Sequence, residues 1–141
     1  MIKAVSKSDW ELQNEVMALS VEFKDGKLAI GSLKNLEAGV DYLSGQQALP
    51  MFSHVINGVS VTADDRGWTL VGAAISDIEV YGKKWGRRLE VTLSRNTPVL
   101  FQVRQIFEVY NERAGLRLYS YLKNPGNKSL SASCDEKFLP V

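Results

Sequence analysis

Read outward from Asp25-Gly26, the chain pairs with itself residue by residue. An Asp-Gly pair reaches the positive φ values of a type I′ turn, whose twist suits a two-residue hairpin. Pairing the flanks sets Lys24 opposite Lys27, Phe23 opposite Leu28 and Val21 opposite Ile30. Met17, Leu19, Val21 and Phe23 then line one side, and Ser20, Glu22 and Lys24 the other. Alternation of this kind makes a strand with one apolar face, and that face needs a second layer to cover it.

The same two-residue period recurs along the chain. Short runs of Val, Ile, Leu, Thr, Tyr and Phe are separated by Gly, Asn and Asp. Residues 36–50 read as a loop broken by Gly39, Gly45 and Pro50. Strand character resumes over 51–62 around an Asn57-Gly58 turn, and Asp64-Asp65-Arg66-Gly67 marks another turn. From Trp68 to Tyr81 the chain reads as one long extended segment. Its apolar parity slips between Ile75 and Ile78, which predicts a β-bulge near Ser76-Asp77. A turn is expected at Gly82-Lys83-Lys84, followed by a strand with Trp85, Arg87, Leu89, Val91 and Leu93 on its core face. Beyond Pro98, Val99, Phe101, Val103, Phe107 and Val109 form the next core face. After a turn at 112–115, Leu116 to Lys123 returns antiparallel. Leu130 to Val141 offers one more edge strand. The best helix candidate, Val5 to Asn14, is undermined by its Ser, Asp and Trp content. The connections are too short for parallel crossovers. The expected fold is therefore all-β: a single domain over 1–141, built as an antiparallel β-sandwich of about eight to ten strands.

Composition narrows the function. The 17 basic and 16 acidic residues leave a net charge of +1, so the chain lacks the basic excess of a nucleic-acid binder. No apolar run is long enough to span a bilayer as a helix, and the N-terminus lacks the apolar stretch of a secretory signal. Neither nucleic acid nor membrane is an expected partner. One cysteine, Cys134, permits no internal disulfide and no cysteine-cluster metal site, and a reduced thiol slightly favours a cytoplasmic address. The compartment is otherwise open.

Motifs for chemistry are sparse. Phosphate-loop, dinucleotide-binding and nucleophile-elbow patterns are absent. The one histidine, His54, has no evident nucleophile beside it and reads as a strand or loop residue. Asp77 and Glu79 would share a strand face at roughly 6–7 Å, a carboxylate spacing that suits glycoside hydrolysis. The same spacing arises on any solvated strand. Lys83, Lys84, Arg87 and Arg88 read as a solvated hairpin end rather than an anion site. Asn127-Lys128-Ser129 matches a glycosylation pattern that arises often by chance. No catalytic residue, metal ligand or cofactor is expected. Aromatics carry the binding signal, because a flat ring can cover the C–H face of a pyranose. Trp68 follows a turn, while Trp85 and Tyr81 flank a hairpin end beside Arg87. Trp68, Trp85, Tyr81 and Arg87 are the candidate carbohydrate-binding residues. The competing reading for Trp10, Trp68 and Trp85 is packing, and Trp85 falls on the core parity of its strand.

Several stretches share a pattern: Trp10-x-Leu12-x-Asn14, Asp25-Gly26-x-Leu28, Leu33-x-Asn35, Phe107-x-Val109-Tyr110 and Arg117-Leu118-Tyr119-x-x-x-Lys123-Asn124. Over about 10–36 and 99–127 the chain resembles the N-terminal β-sandwich of retaining α-galactosidase-like glycoside hydrolases, which belongs to the galactose mutarotase-like class. In that family the sandwich precedes a (β/α)8 catalytic barrel carrying two catalytic aspartates. No such barrel is contained in these 141 residues, so no catalytic residue carries over. The resemblance implies the N-terminal part of a larger enzyme. It would be a non-catalytic domain that packs on the catalytic domain of the same polypeptide and helps to shape its sugar site. Two other readings stay open. A free-standing carbohydrate-binding module would show exposed Trp or Tyr on a sheet face or loop cluster. A protein-interaction sandwich would make no sugar contact.

Overall fold

The computed structural model describes residues 2–4, 8–41, 52–63, 65–96, 100–111, 116–125 and 132–134. Among them are twelve strands in three antiparallel sheets, and no helix. The first sheet runs in chain order: β1 (Ile2–Ala4), β2 (Asp9–Gln13), β3 (Met17–Lys24), β4 (Lys27–Asn35) and β5 (Val40–Asp41). Two further strands, β6 (Ser53–Ile56) and β7 (Val59–Thr62), form the third sheet with β12 (Ala132–Cys134) at its edge, in the order β12-β6-β7. The second sheet has four long strands: β8 (Thr69–Val80), β9 (Lys83–Arg95), β10 (Phe101–Tyr110) and β11 (Leu116–Lys123), in the order β11-β10-β9-β8. Nine strands have four or more residues, within the expected eight to ten, and the other three are shorter. Val99, Asp64, the turn at 112–115, the loop beyond Asp41 and Asn127-Lys128-Ser129 lie outside the described residues.

One core joins the sheets. Trp10, Leu12, Leu19, Val21, Leu28 and Ile30 of the first sheet are buried in a cluster with Leu89, Val91, Leu93, Phe101, Val103 and Phe107 of the second. Phe52, Ile56, Val61 and Ala63 close it from the third-sheet region. Full burial of each such side chain is worth roughly 1.5–3 kcal/mol, so this cluster supplies the main drive to fold. The Asp25-Gly26 hairpin pairs as its flanks dictate, with Phe23 opposite Leu28 and Val21 opposite Ile30. Its tip docks on the corner leading into β8: the Leu28 amide donates to the Ala63 carbonyl, and the Trp68 amide to the Gly26 carbonyl.

Two local expectations change. No bulge lies at Ser76-Asp77, because pairing with β9 is regular from Gly72 through Ile78. The irregularities fall on either side, at Val71 on β8 and at Trp85 on β9. Ile75 joins the core while Ile78 is buried outside it, so the apolar parity slips because both faces of this sheet bury side chains. The turn lies at Tyr81-Gly82, and Lys83 and Lys84 already belong to β9.

Candidate functional site

The β8–β9 hairpin runs past the rest of its sheet. Ladder pairing of β9 with β10 ends at Gly86–Tyr110, with one more bond from the Asn111 amide to the Trp85 carbonyl, so the hairpin end from Glu79 to Lys84 extends beyond as an arm with Trp85 at its base. The strands lie close at Gly86, where a Cβ would run into the Val109 carbonyl oxygen. Tyr81 occupies the first turn position with φ of 52°, and its side chain is fully exposed. Trp85, 41% exposed, stands on the bulge nearby with the Lys83 ammonium 4.4 Å from its ring centroid.

Arg87 belongs to this end too, but its Nε lies 3.2 Å from Asp77, which Lys84 also approaches at 3.3 Å. The basic run is thereby divided. Lys83 rests on Trp85, Lys84 and Arg87 share Asp77, and Arg88 points to the opposite face to hold Glu108. Lys84 and Arg87 are thus both engaged by Asp77 at the hairpin end.

Trp68 does not belong with the arm. It is 4% exposed, with Phe52 and Phe101 packed edge-on at 5.5 and 5.6 Å, and its Nε1 donates to the Thr62 carbonyl at 2.9 Å. The indole therefore offers no open face to a sugar, which corrects its candidacy. It also lies at the far end of the hairpin, since its neighbour Thr69 pairs with Ser94, roughly 30 Å along β9 from Trp85 at 3.3 Å per residue.

The outer face of the second sheet holds a cluster that the sequence reading did not single out. Glu108 on β10 is only 2% exposed although it faces away from the core. Arg88 donates to its Oε2 from Nε at 3.0 Å and from Nη2 at 2.6 Å. The Tyr110 hydroxyl donates to Oε1 at 3.3 Å, and Arg117 stands 3.7 Å from the same oxygen. The hydrogen bond to Glu108 raises the Arg88 pKa further above its ordinary value. Bonding to the Tyr110 side chain, then the charge of Glu108, does the same for Arg117. Burial, then the charge of Glu108, pushes the Tyr119 phenol above 10. The Arg117 guanidinium lies 4.9 Å from the Tyr119 ring, and Tyr119 meets Tyr121 edge-on at 5.5 Å. A signal was present: pairing Leu116–Lys123 back onto β10 sets Glu108 against Arg117 and Ile106 against Tyr119.

His54 is buried, with Nε2 3.2 Å from the Ser120 hydroxyl and Phe52 alongside. A serine and a histidine thus do meet, but the imidazole is sealed inside and reads as an interior polar contact. Among the described residues no group of three or more His, Cys, Asp or Glu could hold a metal ion, and no helix is long and apolar enough to cross a membrane. Comparison with known proteins finds no matching family model, no matching curated protein and no matching solved structure.

Proposed function

We propose that this chain is a non-catalytic β-sandwich module of a carbohydrate-active enzyme, of the α-galactosidase-like glycoside hydrolase kind. In this reading it packs along β8 against a catalytic domain and lends the Tyr81–Trp85 arm to the sugar site. One observation carries the proposal. Tyr81 stands in a left-handed turn position that suits Asn, Asp or Gly, with its whole ring in solvent. Folding alone gives no reason for an aromatic there, and strained backbone tends to persist where it serves a function. The adjacent strand supports a docking role. β8 pairs with no further strand among the described residues, and Val71 and Val80 are exposed. Thr69 to Ser76 carries no charge and no proline to protect this edge. The same edge would serve an interaction sandwich without sugar contact, which is the second reading.

The test uses the purified chain and its tryptophan emission. Galactosides at about 10 mM, a weak-binding regime, are expected to perturb Trp85. The response should vanish in Trp85→Phe and in Tyr81→Asn. No response leaves the interaction sandwich as the better reading, and hydrolysis of an aryl galactoside by the chain itself overturns the non-catalytic assignment.

A further inference from the structure

We infer a second, separate ligand site on the outer face of β10 and β11, built around Tyr121 and Arg104 and suited to an acidic saccharide such as a hexuronate. Most cationic side chains of the second sheet already have a local use. Arg88 and Arg117 hold Glu108, Lys84 and Arg87 hold Asp77, Lys83 covers Trp85, and Arg95 lies over Trp68. Arg104 is different. It is exposed, and among the described residues no carboxylate lies within ion-pair distance of it. Its partners across the strands are Thr92 and Tyr121, neither of them acidic.

Tyr121 is 57% exposed, and its ring is propped edge-on by Tyr119. Tyr119 is in turn held by Arg117, which Glu108 attracts from below. The chain of contacts runs from a buried carboxylate to an exposed ring, so the ring is supported before any ligand arrives, which lowers the ordering cost of binding. Directly opposed residues on paired strands have Cβ atoms about 4.5–5.5 Å apart. At that spacing a pyranose lying on Tyr121 would bring a carboxylate on its ring carbon toward the Arg104 guanidinium. Guanidinium and carboxylate match as a two-pronged, charge-assisted pair. Thr92 and Gln102 lie on the same face within reach of ring hydroxyls. A neutral sugar would leave the guanidinium without its counter-charge, and a bare anion would leave the ring unused.

This site stands apart from the Tyr81–Trp85 arm, and the experiment keeps them distinct. The purified chain is titrated by calorimetry with oligogalacturonate, with the matching neutral galacto-oligosaccharide and with inorganic phosphate. The acidic oligomer is expected to bind at least about tenfold more tightly than the neutral one, a difference of about 1.4 kcal/mol, and to weaken with added salt. Arg104→Gln should erase that preference, and Tyr121→Ala should reduce the acidic oligomer to the affinity of the neutral one, leaving only the weak response that galactosides draw from the Tyr81–Trp85 arm. Arg104 is exposed and has no ion-pair partner among the described residues, so Arg104→Gln should not shift the melting temperature, and circular dichroism checks that Tyr121→Ala, which loses its contact with Tyr119, stays folded. Equal affinity for acidic and neutral oligomers, binding of phosphate as tight as that of uronate, or no binding at about 10 mM would each overturn the inference.

Discussion

Three hairpins turn on the same backbone shape. Asp25, Asn57 and Tyr81 have φ of 54°, 47° and 52°, and each precedes a glycine that also has positive φ. Asp and Asn tolerate this conformation because their short polar side chains bond locally, whereas for most L-residues it costs roughly 1–2 kcal/mol. Replacing Tyr81 with Asn should therefore stabilise the fold by about 1 kcal/mol, read as a higher urea midpoint, while removing any galactoside response. A variant that loses stability would show that the ring packs on something and is not held out for a ligand. Tyr119 makes a different contribution. Its phenol is pushed above 10 mainly by burial, so the folded state holds that proton more tightly than the unfolded chain does. The stability tied to it is complete below pH 10 and drains away as pH climbs through the higher folded value. Subtracting melting curves of Tyr119→Phe from those of the parent, between about pH 8 and 11, should isolate a decline on the alkaline side. A flat difference would mean that burial of the hydroxyl has no energetic consequence.

Among the elements, β9 fixes the position of the arm. Gly86 has the Val109 carbonyl where a Cβ would sit and the Tyr110 Cα at 2.8 Å, both backbone atoms of a strand paired on its two sides. Neither can retreat without breaking the ladder. Gly86→Ala should cost at least about 2 kcal/mol, within the range for overpacking. Gly72→Ala, with nothing within 4 Å, should be neutral or slightly stabilising. Equal melting temperatures for the two variants would show that the β9–β10 approach leaves room for a methyl group at Gly86. The alternation rule made most of these elements legible, because one-sided burial writes itself into every second residue, as in β3 and β4. It failed on the second sheet for the same physical reason. Ile78, Ile106 and Glu108 are buried on the face that alternation assigns to solvent. That Tyr81, Trp85 and Arg87 gather at one hairpin end was legible from their place around a Gly-containing turn. Trp68 looks exposed in the sequence because it follows a turn; its burial comes from Phe52 and Phe101 against its ring and from the Asp25-Gly26 tip docked beside it. Glu108, Arg104 and Tyr121 were not legible, since each looks like an ordinary outward residue until the strands are registered.

For the molecule as a whole, the question is what makes the separate sheets one unit. The shared core is the larger part, but it is non-directional. Orientation comes from a few polar ties, and Asn14 is the most exact of them. Its Oδ1 accepts from the amides of Val16 and Met17 at 2.8 and 2.9 Å, closing the β2–β3 turn. Its Nδ2 donates to the Tyr110 carbonyl at 2.9 Å, reaching from the first sheet to the end of β10 in the second. Asn35 closes the turn after β4 in the same way, with Oδ1 accepting from Glu37 and Ala38. Asn14→Ala removes at least these three bonds and should cost about 2–3 kcal/mol or more, at roughly 1 kcal/mol each. Asn14→Asp keeps the acceptor for the turn and loses only the donor to Tyr110, so the gap between the two variants separates the turn from the cross-sheet tie. Urea unfolding followed by tryptophan emission reports on both sheets, because Trp10 and Trp68 are buried in the one cluster, and far-UV circular dichroism reports on the strands. In the parent the two transitions should coincide, as they do for a single cooperative domain. In Asn14→Ala they should still coincide, at lower urea. If they separate there, the sheets are coupled mainly by this one side chain; if they separate in the parent, the common core does not bind the sheets into one folding unit.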